Sequence, residues 1–372
     1  MRTVACVLSL ICLAYILWEA FETIVLPRTV SRNLRMTRLL YRYGWEFWTF
    51  TAKRIRSAEK RETFLGYFGP ISLPILMAIW AFGLILSFGT LQWALGVPMN
   101  DAEHSQSYRT HLYMSGTTFF TLGYGDVTPA SSNGRLSAVI ESGVGLGFFA
   151  LVIGYLPVLY QVFSKREITI SLLDARAGTP PAAAELLRRY QVNDNVAALD
   201  ALLKEWEHWS AELLESQLSY PVLAYYRSQH DRVSWLSTLT LIMDTCSLLI
   251  VGVDGVKPTQ ARLTFAMARH AAVDISLVFN KAPSDPPEDR LPPERLREVR
   301  QILADAGAPL REGEDADKKL QKLRSLYEPY VHALGKNFFY SLPHWIAEPD
   351  AKDNWQTSAW DDDAPDTRGH FA

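Results

Sequence analysis

The chain has 372 residues, a formal net charge of −3 at pH 7 and 48% hydrophobic residues. This length allows a membrane domain together with a separate soluble domain. The negative charge balance argues against a nucleic-acid partner. The three cysteines have neither metal-ligand nor disulfide-framework spacing, and no Ser/His/Asp, Cys/His or paired-carboxylate arrangement indicates an enzyme.

The first apolar stretch, residues 1–26, has two interpretations: a cleaved signal peptide or a transmembrane helix. A signal peptide has a short apolar core and a small-residue cleavage site. Here the apolar run passes through Trp18 and Phe21 without such a site, although Glu19 and Glu22 interrupt its end. The pattern therefore favours a retained transmembrane helix.

Residues 27–65 form a basic segment, with ten lysines and arginines against three glutamates. Because positively charged loops stay on the cytoplasmic side, we predict that this segment is cytoplasmic. The N-terminus would then lie outside the cell and the C-terminus in the cytoplasm. Aromatic residues alternate with the cations, which indicates an amphipathic helix lying on anionic lipids of the inner leaflet. A helix packed on the soluble domain would give the same pattern.

Residues 66–164 hold two further long apolar stretches, Ile71–Leu95 and Leu136–Phe163. Each is longer than the roughly 20 residues needed to cross a bilayer. Between them, the short stretch Tyr113–Phe120 predicts a half-helix that enters the membrane from outside. It leads directly into the string Thr121-Leu122-Gly123-Tyr124-Gly125-Asp126.

This string has the chemistry of an ion-selectivity filter. Rings of backbone carbonyls can replace the hydration shell of a potassium ion, and Gly123 and Gly125 supply the backbone freedom that such rings need. Thr121 can add its hydroxyl to the lowest ring, Tyr124 can brace the filter, and Asp126 can attract cations at the outer mouth. Potassium is the expected permeant ion, and the sequence indicates no cofactor.

In its position between two spans, the filter string resembles that of the potassium channel pore family, in the form of the bacterial two-transmembrane module with an extra N-terminal span. The resemblance implies an all-α membrane protein with an outer helix, a re-entrant pore helix and an inner helix. It implies that the carbonyls of Thr121, Leu122, Gly123 and Tyr124 form the K⁺ sites. One filter per chain also implies a homotetramer. Three departures are Leu122 in place of the usual valine, Tyr113-Met114 in place of the paired tryptophans of many members, and Phe120 in place of the threonine before Thr121.

Glu141 is the only charged residue in the stretch Leu136–Phe163, and a carboxylate within the membrane marks a functional position by default. In many members of this family an acidic residue of the pore helix braces the filter, and Thr117 occupies the matching position here. We hypothesise that Glu141 braces the filter from the inner helix through hydrogen bonds to Thr117 or Thr118. The alternatives are a carboxylate that faces the cavity and one that is buried between helices.

The inner helix carries two candidate gating residues. By the resemblance, Gly145 occupies the position of a hinge glycine, which would let the helix bend. Pro157 removes a helical hydrogen bond and would either kink the helix near an inner gate or end the span. On the outer side, His104 and His111 could sense pH, but our interpretation is that they are ordinary surface histidines.

Residues 165–348 have apolar residues at helical spacing and predict a helical cytoplasmic domain. Within it, Val233–Val253 is long enough to span a membrane, yet Asp244 and six Ser/Thr residues favour a buried helix. No glycine fingerprint of a dinucleotide-binding domain is found, so any cytoplasmic ligand stays unidentified. Residues 349–372 are polar and acidic and predict a disordered tail.

The preferred function is a potassium-selective channel subunit in the cell membrane, most naturally a bacterial inner membrane, gated or assembled through the helical domain. A weakly selective cation channel is the first alternative, because of Leu122 and the absent tryptophan pair. A membrane-anchored signalling or scaffold protein with a vestigial pore is the second. The intact filter glycines argue against this last alternative.

Overall fold

A computed structural model of the chain describes residues 1–26, 35–101, 106–190, 196–228 and 233–347. The chain folds into two compact units, Met1–Gln161 and Val162–Ala372. The described residues are mostly helical. The predicted disordered tail, residues 349–372, lies outside them.

The first unit contains helices α1 to α5 and most of α6. Their bounds are α1 Arg2–Ala20, α2 Met36–Ala52, α3 Ala58–Gly66, α4 Phe68–Ala94, α5 Tyr108–Phe119 and α6 Ser132–Ala177. A single π-helical turn, Phe21–Val25, extends α1. Two short antiparallel strands, β1 (Met99–Asp101) and β2 (Val127–Pro129), flank α5, with Met99 paired to Pro129.

Three stretches that begin in this unit are long and apolar enough to cross a membrane: Arg2–Val25, Ala58–Ala94 and Ser132–Leu173. The N-terminal stretch predicted to be a span is therefore a helix of the required length. α1 packs along α4, and α4 in turn packs on α5. Helix α6 has 46 residues and carries Pro157 in its interior.

Helix α2 occupies the middle of the basic segment and is amphipathic. Its buried face packs on α3 and α4: the Trp48 ring stacks on Phe64 at a centroid distance of 4.6 Å, and Trp45 meets Phe68 edge-on at 4.9 Å. The opposite face exposes large apolar side chains, which are Leu39, Tyr43, Phe47 and Phe50. Residues 27–34 of the basic segment lie outside the described part of the chain.

The second unit contains the end of α6 and helices α7 to α13. Their bounds are α7 Ala183–Arg189, α8 Val196–Ser219, α9 Trp235–Gly252, α10 Thr259–Val278, α11 Pro293–Asp305, α12 Glu314–Ser325 and α13 Glu328–Phe338. Every residue from Trp235 to Val251 in α9 is buried, and α7, α10, α12 and α13 pack around it. Although α9 has the length and hydropathy of a span, its enclosure confirms the prediction of a buried helix.

A buried cluster of charges joins α9 to the chain between α10 and α11 and to α13. Arg290 donates to Asp244 Oδ2 at 2.6 Å and to Glu328 Oε1 at 3.1 Å, and Tyr327 donates to Asp244. Burial disfavours the charged form of Arg290, but the carboxylate of Asp244 outweighs this effect and raises the pKa of Arg290 above its ordinary value. Arg324 donates to Glu328 Oε1 at 3.0 Å and completes the cluster.

Candidate functional site

The segment that follows α5 begins with a helix-ending turn. The N–H of Thr121 donates to Thr118 O at 3.0 Å, and the N–H of Leu122 donates to Thr117 O at 2.8 Å. This pair of bonds is the Schellman ending of a helix, with Thr121 in the left-handed position at φ 54°. Glycine usually occupies that position. A β-branched residue there is an outlier, and such outliers concentrate at functional sites.

Positive φ then recurs at every second residue of the segment. Gly123 has φ 58° and Gly125 has φ 78°, whereas Leu122 and Tyr124 are outside the positive region. A backbone that alternates in this way can turn successive peptide groups toward the same side. The two side chains that alternate with these positive-φ residues are exposed in the single chain, Leu122 by 53% and Tyr124 by 69%.

The outer end of the segment is fixed to α5 and to the β-ladder. The Tyr113 hydroxyl, on α5, donates to Asp126 Oδ2 at 2.9 Å. Strand β2 starts at the next residue and pairs Val127 with Asp101. In the sequence, Tyr113 was interpreted only as a departure from the paired tryptophans of the family. Its hydroxyl could have indicated this contact, since a tyrosine hydroxyl can donate a hydrogen bond to a nearby carboxylate.

Glu141 of α6 is fully buried against α4 and α5, at 0% exposure. It contacts the Ser115 hydroxyl, and its Oε2 accepts from Gln92 Nε2 at 3.1 Å. The predicted partners Thr117 and Thr118 are wrong, because both hydroxyls turn back onto their own helix at Met114. The interpretation that Glu141 faces a cavity is wrong as well. Its place among α4, α5 and α6 matches the alternative of a carboxylate buried between helices.

Gly145 of α6 lies where the inner helix crosses the end of α5. A Cβ atom built on Gly145 would lie 2.2 Å from the backbone oxygen of Phe119, far inside van der Waals contact. Similar atoms at Gly143, Gly147 and Gly154 would meet nothing within 4 Å. Gly145 therefore permits a close helix approach at the end of α5, two residues before Thr121. Its role as a hinge stays a prediction.

Comparison with known proteins identifies this region. Residues 75–161, which include α5, the segment Thr121–Asp126 and Glu141, match the family model described as "Ion channel". Residues 75–161 form an ion-channel pore module. The recognition of a pore-loop channel from its filter string is thereby confirmed, as is the all-α membrane fold class.

The chain is also similar to the uncharacterized membrane protein YdjJ of Bacillus subtilis (strain 168). The two are 24% identical over 191 residues, which is 50% of this chain and 54% of the relative. The chain thus spans about half the length of the relative it matches. No solved structure matches the chain.

Pro157 lies inside α6 and does not end it. The helix continues for a further 20 residues, to Ala177. The alternative that Pro157 ends the membrane span stays a prediction. A proline inside a helix costs one backbone hydrogen bond and favours a bend, so a kink in the inner helix of the pore module stays a prediction.

His111 is a buried residue of the pore module, at 2% exposure, so its interpretation as a surface histidine was wrong. Its Nδ1 lies 2.8 Å from Ser107 O and its Nε2 lies 3.0 Å from Val97 O. The ring thereby links α5 to the chain that follows α4. His104 lies outside the described residues.

Proposed function

We propose that this chain is one subunit of a homotetrameric potassium channel and that Thr121 to Gly125 are its selectivity filter. The observation that carries the proposal is the positive φ at every second residue of that segment, directly after the pore helix α5. A filter needs a backbone of this kind, because several successive carbonyls must turn toward one axis. The ion-channel match of residues 75–161 sets the general function.

Within this proposal, the carbonyls of Thr121, Leu122, Gly123 and Tyr124 bind K⁺ as the permeant ion, and no cofactor is needed. Asp126 attracts cations to the outer mouth, and its bond to Tyr113 holds the carboxylate in place. Leu122 contributes only its carbonyl, so its replacement of valine leaves the ion sites unchanged in kind. Transport of ions requires no bond chemistry, and the protein is therefore proposed to act without enzyme activity.

Assembly into a tetramer is supported by apolar surface that the single chain leaves exposed. Leu122 and Tyr124 in the filter segment are both large and exposed. The inner helix α6 adds an exposed row inside its membrane part, consisting of Leu136, Val139, Ile140, Leu146, Leu151 and Ile153. Four copies around one axis would cover part of this surface and bring four filter segments together.

The proposed orientation has the N-terminus outside and the C-terminus in the cytoplasm of a bacterial cell, with the protein in the inner membrane. The basic segment supports this orientation through its charge. Glu19, at the end of α1, accepts from the Thr37 N–H at 2.5 Å and from the Thr37 hydroxyl at 2.7 Å. These bonds hold the start of α2 at the inner end of α1, which is the level of the inner membrane surface in this orientation.

The exposed face of α2 is proposed to lie on anionic lipids of the inner leaflet. Leu39, Tyr43, Phe47 and Phe50 recur at helical spacing on that face. Arg42 and Arg54 lie against neighbouring rings of the same helix, Arg54 at 4.3 Å from the centre of the Phe50 ring. A helix with an apolar face bordered by arginines is typical of an interfacial membrane helix.

The second unit is proposed to be a cytoplasmic domain, residues 165–348, that assembles or gates the pore. Its connection to the pore is α6, which is one continuous helix from Ser132 to Ala177. The Arg166 side chain of α6 is buried in the second unit and donates to Leu223 O at 2.8 Å and Tyr226 O at 2.9 Å. Movement within this unit would therefore act directly on α6. The ligand of the domain, if it has one, is unknown.

The test is a comparison of K⁺ and Na⁺ flux through the purified protein in liposomes. A K⁺-selective flux that barium blocks would support the proposal. Equal K⁺ and Na⁺ flux would favour the weakly selective cation channel. No flux of either ion would favour the scaffold protein with a vestigial pore.

A further inference from the structure

Four groups from three helices meet in a buried polar contact where the pore helix α5 packs between α4 and α6. Glu141 belongs to α6, Ser115 to α5, and Gln92 and Ile85 to α4. The side chains of Glu141, Ser115 and Gln92 are each fully buried. Ser115 Oγ contacts Glu141 Oε1 and also lies 2.8 Å from the backbone oxygen of Ile85. Gln92 Nε2 lies 3.1 Å from Glu141 Oε2.

The number of available protons determines the state of Glu141 in this contact. The Ser115 hydroxyl has one hydrogen but two oxygen neighbours, Glu141 Oε1 and Ile85 O. If Glu141 is ionised it can only accept, so one of the two contacts brings oxygens together without a hydrogen between them. If Glu141 is protonated, it donates to Ser115, Ser115 donates to Ile85 O, and Gln92 donates to Glu141 Oε2. Every close contact then contains one hydrogen.

The surroundings of Glu141 also disfavour a charge. Among the described residues, Glu141 forms no ion pair, and its polar contacts are limited to the uncharged Ser115 and Gln92. An unpaired carboxylate buried within a membrane is costly, whereas a neutral acid with all its hydrogen bonds is not.

We infer that Glu141 is an uncharged hydrogen-bond donor, and that the chain from Glu141 through Ser115 to the Ile85 carbonyl fixes α5 between α4 and α6. Glu141 is a positioning residue in this account, because it acts on the filter only through the pore helix. The effect on ion selection rests on the proposed potassium channel, whereas the protonation of Glu141 does not.

The first experiment is an infrared difference spectrum between the wild-type protein and Glu141→Gln, both reconstituted in lipid at neutral pH. We expect the wild type to show the C=O stretch of one protonated carboxyl group that the variant lacks. A difference spectrum that contains carboxylate bands instead would overturn the inference. This readout requires no ion flux, so it stands even if the chain conducts no potassium.

The second experiment compares the K⁺/Na⁺ flux ratio of Glu141→Gln and Glu141→Leu. Glutamine can donate to Ser115 and accept from Gln92, so we expect a ratio within about twofold of the wild type. Leucine has a similar size but no donor, and we expect the ratio to fall about tenfold, the scale of a buried polar group left unpaired. A Leu variant with the wild-type ratio, or a Gln variant as impaired as Leu, would overturn the positioning role.

The two experiments separate the failure of each idea. A protonated carboxyl in the infrared spectrum together with unselective wild-type flux would refute the potassium channel and leave the protonated Glu141 intact. A carboxylate in the spectrum together with K⁺-selective flux would refute the inference and leave the channel intact.

Discussion

The close approach of Gly145 to the end of the pore helix predicts the effect of adding a single methyl group. In Gly145→Ala, the new Cβ would lie 2.2 Å from Phe119 O and 3.0 Å from Phe119 C, both backbone atoms. The two helices must separate by about 1 Å to restore normal contact distances. Overpacking of this kind costs about 1–3 kcal/mol.

Two neighbouring glycines provide matched controls for this variant. A Cβ on Gly143 or Gly147 meets nothing within 4 Å in the chain. All three substitutions gain the same intrinsic helix propensity, about 1 kcal/mol. The difference in stability between Gly145→Ala and the two controls should therefore equal the overpacking cost, about 1–3 kcal/mol.

The assay is thermal unfolding of the purified protein in detergent, followed by K⁺ flux in liposomes. We expect Gly145→Ala to unfold at a lower temperature than both controls and to carry less flux, because Phe119 lies only two residues before Thr121, the first residue of the proposed filter. If Gly145→Ala is as stable as the controls, the packing argument is refuted. A variant of unchanged stability that opens less often would instead support the predicted hinge at Gly145.

Three further predictions concern other parts of the chain. Arg290→Met leaves the buried carboxylate of Asp244 without its guanidinium partner, and we expect a loss of about 3–5 kcal/mol in unfolding free energy, measured by chemical denaturation. Burial acts to raise the pKa of Glu185, but its hydrogen bonds with two arginines outweigh burial and lower the pKa below 4.5. A carboxyl group whose pKa is lowered by folding stabilises the protein above its unfolded pKa, so Glu185→Gln should unfold at a lower temperature than the wild type at neutral pH. This difference in unfolding temperature should disappear as the pH falls below 4.5, and a difference that is constant with pH would contradict the pairing. A spin label on Phe47→Cys, in a cysteine-free background, should be more accessible to lipid-soluble oxygen than one on Glu46→Cys; equal accessibility would argue against a membrane-facing α2.

The backbone of residues 121–125 could be predicted from the sequence because it depends on local chemistry. Six consecutive residues between two apolar stretches were enough, since the glycines at positions 123 and 125 have the positive φ that their lack of a side chain permits. The burial of α9 was predictable for a similar reason. Its Asp244 and Ser/Thr residues suit a helix that finds partners inside a protein, and Arg290 and Tyr327 are two of those partners.

The partners of Glu141 could not be predicted, because they depend on which face of α5 meets α6. Ser115 and Thr117 differ by two positions, which is about 200° around a helix, and no residue pattern in α5 favours one face over the other. His111 was misassigned for the same reason: its burial depends on where the chain after α4 returns over α5. Tertiary contacts of this kind are fixed by packing between segments that are distant in sequence.

The most direct test of the potassium filter is a current recording across a planar bilayer, with K⁺ on one side and Na⁺ on the other. For the wild type, we predict a reversal potential far from zero, with the sign expected when K⁺ alone carries the current. In Gly123→Ala, a side chain at φ 58° is strained, and the current should be lost or its reversal potential should move to near zero. A wild-type reversal potential near zero, or a Gly123→Ala variant with unchanged selectivity, would contradict the assignment of the filter.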